Sequence, residues 1–171
     1  MLPDRILVAY ATRHGSTGEI AEAIGETLRA AGLAVDVRRI PSPEPLDLSP
    51  YRAIILGSAV YMNHWQKEAL DFLRRHQPAL RERPVWLFSS GPLDHSAGPA
   101  GPPAPKAVQE LAARLGVRGH VTFGGRLDPE KFGFVERLMI RDARAGDWRD
   151  FEGIRAWAES IARALRPAAV G

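Results

Sequence analysis

The sequence predicts a doubly wound α/β fold, a parallel sheet covered by helices on both faces. Three observations carry that prediction. Short apolar runs alternate with amphipathic helical stretches along nearly the whole chain. Strands separated by helices pair in parallel through right-handed crossovers, which places helices on both sides of one sheet. The 171 residues contain no internal repeat and fit one domain with a substantial core, 1–171.

Taken in order, Ile6–Tyr10 is the first apolar run, followed by the polar stretch Thr12–Thr17. From Thr17 to Ala31, apolar residues recur at Ile20, Ala21, Ile24 and Leu28, which is helical spacing, and Gly32 supplies the stop. Val35, Val37 and Ile40 alternate with polar residues, as in a half-covered strand near a sheet edge. A Pro-rich link over 41–50 leads to Ala53–Leu56, the most apolar short run in the chain. Gly57–Asn63 reads as a loop, His64–His76 as an amphipathic helix, and Val85–Phe88 as the fourth strand. Glycine and proline then dominate Gly91–Pro105, a long loop. Lys106–Leu115 is helical, Val121–Phe123 is a fifth strand, and Asp150–Leu165 is a last helix with Ile154, Trp157, Ile161 and Leu165 on one face.

The stretch Leu127–Arg149 breaks this rhythm, because it exceeds the usual connection length. It reads as an insertion at about 128–148, apolar through Phe132, Phe134, Leu138 and Ile140 and basic through Lys131, Arg137, Arg141 and Arg144. A helical flap packed on the domain and an amphipathic docking element for a membrane or partner both fit that composition.

Composition narrows the function. There is no cysteine, which excludes disulfides, thiol nucleophiles, iron–sulfur ligation and cysteine-based zinc sites. The net charge of +3 is too small to argue for nucleic acid as a partner. It resides wholly in residues 101–171, which hold 12 basic and 9 acidic residues against 11 of each in residues 1–100. The first ten residues hold no signal-peptide pattern, and no apolar stretch reaches the roughly eighteen residues of a spanning helix. The expected location is the cytoplasm, with the membrane reached only by surface docking of the insertion.

In open α/β sheets, ligands bind beyond the carboxyl ends of the strands. Three segments of this chain reach that edge. Thr12, Arg13, His14, Gly15, Ser16 and Thr17 join the first strand to the first helix. Several hydroxyls and a turn-forming glycine before a helix N-terminus suit a phosphate monoester. The pattern is neither Gly-x-Gly-x-x-Gly nor a nucleoside-triphosphate loop. Ser58, Ala59, Val60 and Tyr61 follow the third strand, and Ser89, Ser90, Gly91, Pro92 and Leu93 follow the fourth. Both mix small, apolar and aromatic residues, as walls for a flat ring do; Tyr61 fits either stacking on such a ring or an exposed loop tyrosine. His14, His64 and His95 fall on the same edge without carboxylate companions or metal-ligand spacing, and read as surface histidines.

Thr12–Thr17 resembles the flavodoxin phosphate signature Ser/Thr-x-Thr-Gly-x-Thr, with His14 in place of the middle threonine. The two later segments are similar to those that flank the flavin ring in that family. The resemblance implies a five-stranded sheet in the order 2-1-3-4-5. It also implies FMN, with its phosphate on the first loop and its isoalloxazine between the other two. Tyr10-Ala-Thr-Arg13, the run Phe123–Leu127 and Arg137–Ile140 more closely resemble the bacterial menaquinone-dependent protoporphyrinogen IX dehydrogenases. Val60-Tyr61-Met62 departs from the Ile-Arg-Tyr-like run frequent in them. That likeness implies an FMN oxidoreductase passing electrons from a reduced organic substrate, a tetrapyrrole in those enzymes, to a quinone. Two other expectations stay open: an electron carrier docking on a redox protein, and a binding module with a degenerate flavin site. No residue stands out as a catalytic acid or base.

Overall fold

In the computed structural model, five strands pair in parallel across one twisted sheet, and the description covers residues 4–13, 16–91, 102–124, 126–127, 146–147 and 150–166. The elements are β1 (Arg5–Ala11), α1 (Ser16–Ala30), β2 (Ala34–Arg39), β3 (Tyr51–Tyr61), β4 (His64–Trp65), α2 (Lys67–Arg75) and α3 (Gln77–Arg81). They continue as β5 (Val85–Gly91), α4 (Lys106–Leu115), β6 (Gly119–Gly124), β7 (Arg126–Leu127), β8 (Gly146–Asp147) and α5 (Phe151–Leu165). The order across the sheet is β2-β1-β3-β5-β6, the expected 2-1-3-4-5 once the five parallel strands alone are counted. A sixth strand, β4, pairs antiparallel with the end of β3, and β7 and β8 form a separate two-stranded ribbon.

Alternation along each strand splits the core in two. On one face Leu7, Ala9, Ile54, Leu56, Val85 and Leu87 pack against Ala69, Phe72 and Leu73 of α2, Leu80 of α3, and Val108, Leu111 and Leu115 of α4. On the other, Ile6, Val8, Ile55, Phe88, Val121 and Phe123 meet Ile20, Ile24 and Leu28 of α1 and Ile154, Ala158, Ile161 and Leu165 of α5. A central strand covered on both faces has no polar side, which is why Ala53–Leu56 carries none.

Helix ends follow their local chemistry. Gly32 adopts φ 91°, and Leu33 N–H donates to Leu28 O at 3.2 Å, closing α1 where the sequence places its stop. Gly116 does the same for α4 at φ 67°. The Asp150 side chain accepts from Gly153 N–H at 3.1 Å, capping α5.

Four expectations need correction. The loop expected over Gly57–Asn63 is mostly strand, since β3 runs on to Tyr61. The helix expected over His64–His76 starts at Lys67, because His64 and Trp65 turn back along β3. That helix ends at Arg75, and α3 begins anew with Pro78 in its first turn, where a missing N–H costs nothing. The fourth strand extends to Gly91, taking Ser89, Ser90 and Gly91 into the sheet. The insertion at 128–148 lies outside the described residues except at its end, where Gly146 and Asp147 pair with Leu127 and Arg126. Whether it is a flap or a docking helix therefore lies outside them too.

Candidate functional site

The three segments singled out in the sequence converge on one edge. Ala11 lies beside Ser58 in the β1–β3 register, and Ala59 lies beside Ser90 in the β3–β5 register. The carboxyl ends of β1, β3 and β5 therefore open side by side.

At the first of these, β1 ends at Ala11 and α1 begins at Ser16. Thr12 is half-buried and Arg13 exposed, while His14 and Gly15 lie outside the described residues. Thr17 sits in the first turn of α1 on the same helix face as Ile20, Ala21 and Ile24, and is fully buried. Its Oγ1 has no hydrogen-bond partner. A buried hydroxyl without a partner forfeits about 1–3 kcal/mol. It lies beside the N–H groups of the helix's first turn, which have no acceptor within the helix. Gly18 brings that turn down onto β1, and a Cβ there would stand 3.1 Å from the Tyr10 ring.

At the second, β3 continues two residues beyond its last pair with β5 and then reverses. The reversal is a two-residue turn in which Met62 (φ 51°) and Asn63 (φ 62°) are both left-handed, the primed turn that matches strand twist. Val60 pairs with Trp65 and Tyr61 with His64. Met62 is 57% exposed at the tip, on the rim of the site. The Arg13 guanidinium lies 4.5 Å from the centre of the Tyr61 ring, a cation–π contact that joins the first segment to the second.

The serine hydroxyls face inward. Ser58 Oγ donates to Ala59 O at 2.9 Å and accepts from Gln66 N–H at 2.9 Å. Ser89 Oγ accepts from Trp65 Nε1–H at 2.8 Å and lies 2.8 Å from His120 Nε2. Both serines are at most 1% exposed, so any contact they make with a ligand is through the backbone. Ser90 is buried at the end of β5, on the opposite face from Ser89, and Gly91 ends the strand. Pro92 and Leu93 lie outside the described residues.

Burial depresses His120 to a pKa of about 4, so its imidazole is neutral at neutral pH. Trp65, Gln66 and His120 are the residues that sequence reading missed. The one signal for them was a tryptophan whose indole N–H, once buried, requires an acceptor. Among the described residues no group of three or more His, Asp or Glu is arranged to hold a metal ion. No helix among them is long and apolar enough to cross a membrane.

The architecture agrees with comparison to known proteins. The flavodoxin domain family matches residues 7–150. The chain belongs to that family. Its cofactor is accordingly FMN, and the residues present fit the group: the partnerless buried hydroxyl of Thr17 at a helix N-terminus is what a phosphate oxygen requires. Among solved structures, the flavodoxin-domain chain is similar to oxidised flavodoxin 2 from Bacillus cereus, at TM-score 0.65 and 24% identity over 94% of this chain and 99% of that one. It is also similar to rubredoxin oxygen:oxidoreductase from Desulfovibrio gigas, at TM-score 0.64 and 16% identity, covering 94% of this chain and 36% of that one. Both likenesses are of fold.

Among curated relatives, the chain is 25% identical over 85 residues to the protoporphyrinogen IX dehydrogenase [quinone] of Escherichia coli K12, covering 50% of this chain and 47% of that protein. It thus spans about half the length of that relative. It is 22% identical over 164 residues to an NAD(P)H dehydrogenase (quinone) of Afipia carboxidovorans, covering 83% and 78%.

Proposed function

We propose that this flavodoxin-family chain is an FMN oxidoreductase that takes a hydride equivalent, two electrons and one proton, from a reduced organic substrate and reduces a quinone to a quinol, the second proton coming from the substrate or, with a nicotinamide donor, from water. The observation that carries the reading is the buried, partnerless Thr17 hydroxyl at the start of α1, an anion seat already built into the fold. The quinone-linked names of the E. coli and Afipia relatives support the acceptor class. A tetrapyrrole is the substrate named for the first of them, and a nicotinamide nucleotide for the second.

When bound, FMN supplies the redox chemistry. The chain's residues bind and orient. Thr12, Arg13, His14, Gly15, Ser16 and Thr17 would hold the phosphate, with Thr17 Oγ1 and the first-turn N–H groups as the donors it requires. Ser58, Ala59, Val60 and Tyr61 make one wall for the ring, and Ser89, Ser90, Gly91, Pro92 and Leu93 the other. Tyr61 presents an aromatic face, and its contact with Arg13 keeps the wall beside the phosphate seat. Backbone groups at the ends of β3 and β5 are left to hydrogen-bond the ring, since the Ser58 and Ser89 hydroxyls are engaged elsewhere. Arg137, Arg141 and Arg144 of the insertion are the cations available to carboxylates of a tetrapyrrole or to anionic lipid.

FMN titration of the flavin-free protein, followed by anaerobic turnover with protoporphyrinogen or NAD(P)H and a soluble quinone, tests the reading. Saturable FMN binding with quinone reduction by one donor supports it. FMN binding with neither donor oxidised would instead favour a carrier that exchanges electrons with a redox protein.

A further inference from the structure

Among the described residues β3 pairs with β5 no further than Ala59, and its last residues turn back into the β3–β4 hairpin. It carries Val60 and Tyr61, the wall proposed for the flavin ring. Two buried side-chain hydroxyls tie its root to the sheet: Ser58 of β3 accepts from Gln66 N–H, and Ser89 of β5 accepts from the Trp65 indole. The second tie is longer, for Ser89 also meets His120 on β6.

The indole fixes the direction of the first bond in that chain. An indole N–H can only donate, so Ser89 Oγ accepts from it. The serine's single hydrogen is then free for His120 Nε2 when the imidazole carries its hydrogen on Nδ1, and the serine's second lone pair accepts from Nε2–H in the other tautomer. In either tautomer Trp65 Nε1, Ser89 Oγ and His120 Nε2 form one line, with each contact 2.8 Å and three strands joined. Hydrogen bonds in such a chain polarise one another, and each holds the next in orientation. Because Trp65 stands opposite Val60 in the hairpin register, turning the indole moves the ring wall.

We propose that His120 is a positioning residue for the flavin seat: by fixing the Ser89 hydroxyl it locks the Trp65 indole, and with it the angle of the hairpin that carries Val60 and Tyr61. The inference rests on the FMN reading above. Among the described residues His120 hydrogen-bonds Ser89, and it acts through Ser89 and Trp65.

Four single variants and one double test it: Trp65→Phe, which keeps the ring and deletes only the donor, Ser89→Ala, His120→Phe, His120→Gln, and Ser89→Ala combined with His120→Phe. FMN affinity is read by titration, thermal unfolding is followed on the flavin-free protein, and hydrogen exchange is measured at the amides of residues 61–66. Losing one buried hydrogen bond that orients the wall raises the FMN Kd roughly tenfold. Trp65→Phe, Ser89→Ala and His120→Phe are each expected to show that rise, with faster exchange at 61–66 before any FMN is added. Ser89→Ala combined with His120→Phe is expected to cost no more than either alone, because both break one chain. His120→Gln, whose carboxamide reaches the same place, is expected to recover most of the affinity.

An FMN Kd within twofold of the parent in both Trp65→Phe and His120→Phe overturns the proposal. So does a loss of affinity that tracks the loss of thermal stability and that His120→Gln fails to rescue, which marks His120 as packing only. Failure of the parent protein to bind FMN defeats the cofactor reading instead. The exchange comparison in flavin-free protein still decides whether His120 governs the hairpin.

Discussion

Gly57 of β3 lies directly under the ring of Phe88 on β5: a Cβ at Gly57 would stand 1.9 Å from Phe88 Cζ. Phe88 is held there edge-on to Trp157, with ring centres 6.1 Å apart, and tilted against Phe123 at 6.2 Å. The glycine is thus required by a neighbour, since its own φ is ordinary. Gly57→Ala is expected to lower stability by about 3 kcal/mol or more, as overpacking in a rigid core does. Phe88→Leu in the same chain should recover part of that loss. Urea unfolding of the three proteins checks both statements.

Thr17→Val separates folding from binding. The substitution keeps the shape and deletes a buried hydroxyl that has no partner among the described residues. Flavin-free protein is expected to gain about 1 kcal/mol, because an unsatisfied group disappears. FMN affinity is expected to fall roughly tenfold, one charge-assisted hydrogen bond to phosphate having been lost. Denaturation of flavin-free protein and FMN titration should move in opposite directions; equal and parallel losses would assign Thr17 to the core alone.

The hairpin tip offers a trade of stability against function. Met62 and Asn63 both occupy left-handed backbone, a conformation a long side chain such as methionine adopts at a cost. Replacing the pair with Asn-Gly, the residues best suited to this turn, is expected to raise stability by about 1 kcal/mol. It also strips an apolar side chain, 57% exposed, from the rim of the site. Quinone-linked turnover should fall while thermal stability rises, and unchanged turnover would remove Met62 from the substrate's path.

Acid should weaken the fold in a defined window. His120 ordinarily titrates at 6.5 but only near pH 4 in the folded chain, because burial disfavours the cation. Between those values the unfolded chain holds a proton the native chain lacks, so stability rises with pH across the window. The His120 contribution is complete above about pH 6.5 and is lost progressively as pH falls toward 4. Its size is roughly 1–3 kcal/mol, allowing for the ring's partial access to water. Asp36, held below its usual range chiefly by the hydrogen bond from Arg5 and further by Tyr51, adds a second loss at lower pH still. His120→Gln should flatten the upper part of the profile and leave the lower part, as denaturant midpoints from pH 4 to 8 will show. His76, also depressed by burial, keeps a residual slope there.

The framework was legible because burial on two faces leaves a plain mark. Runs such as Ala53–Leu56 admit no polar residue, and Gly32 and Asp150 stand where helix ends need them. The hairpin was illegible for a physical reason. Its turn lacks the Asn-Gly that announces left-handed backbone, and His64-Trp65 continues smoothly into the helical pattern of α2. The site was legible as a location and less so as a set of side chains. Ser58 and Ser89 look like ligand hydroxyls in the sequence. Yet each lies two residues beyond a core residue of the same face, Leu56 and Leu87, and period-two alternation turns both inward. Thr17 is the opposite case: helical spacing with Ile20, Ala21 and Ile24 buries it, and only the structure shows its hydroxyl without a partner.

The ribbon of β7 and β8 sets Arg126 against Asp147 and Leu127 against Gly146. Strand partners of this kind stand about 5 Å apart at their Cα atoms. The excursion over residues 128–145 therefore leaves and re-enters the domain through one doorway. Chain length beyond such a doorway can be exchanged without moving the walls on either side. Joining Leu127 to Gly146 by a two-residue turn would relieve about 2 kcal/mol of loop-closure entropy. A chain shortened there is expected to keep its FMN affinity and its thermal stability, so that only the substrate-facing properties change; FMN titration and thermal unfolding of the shortened chain check it.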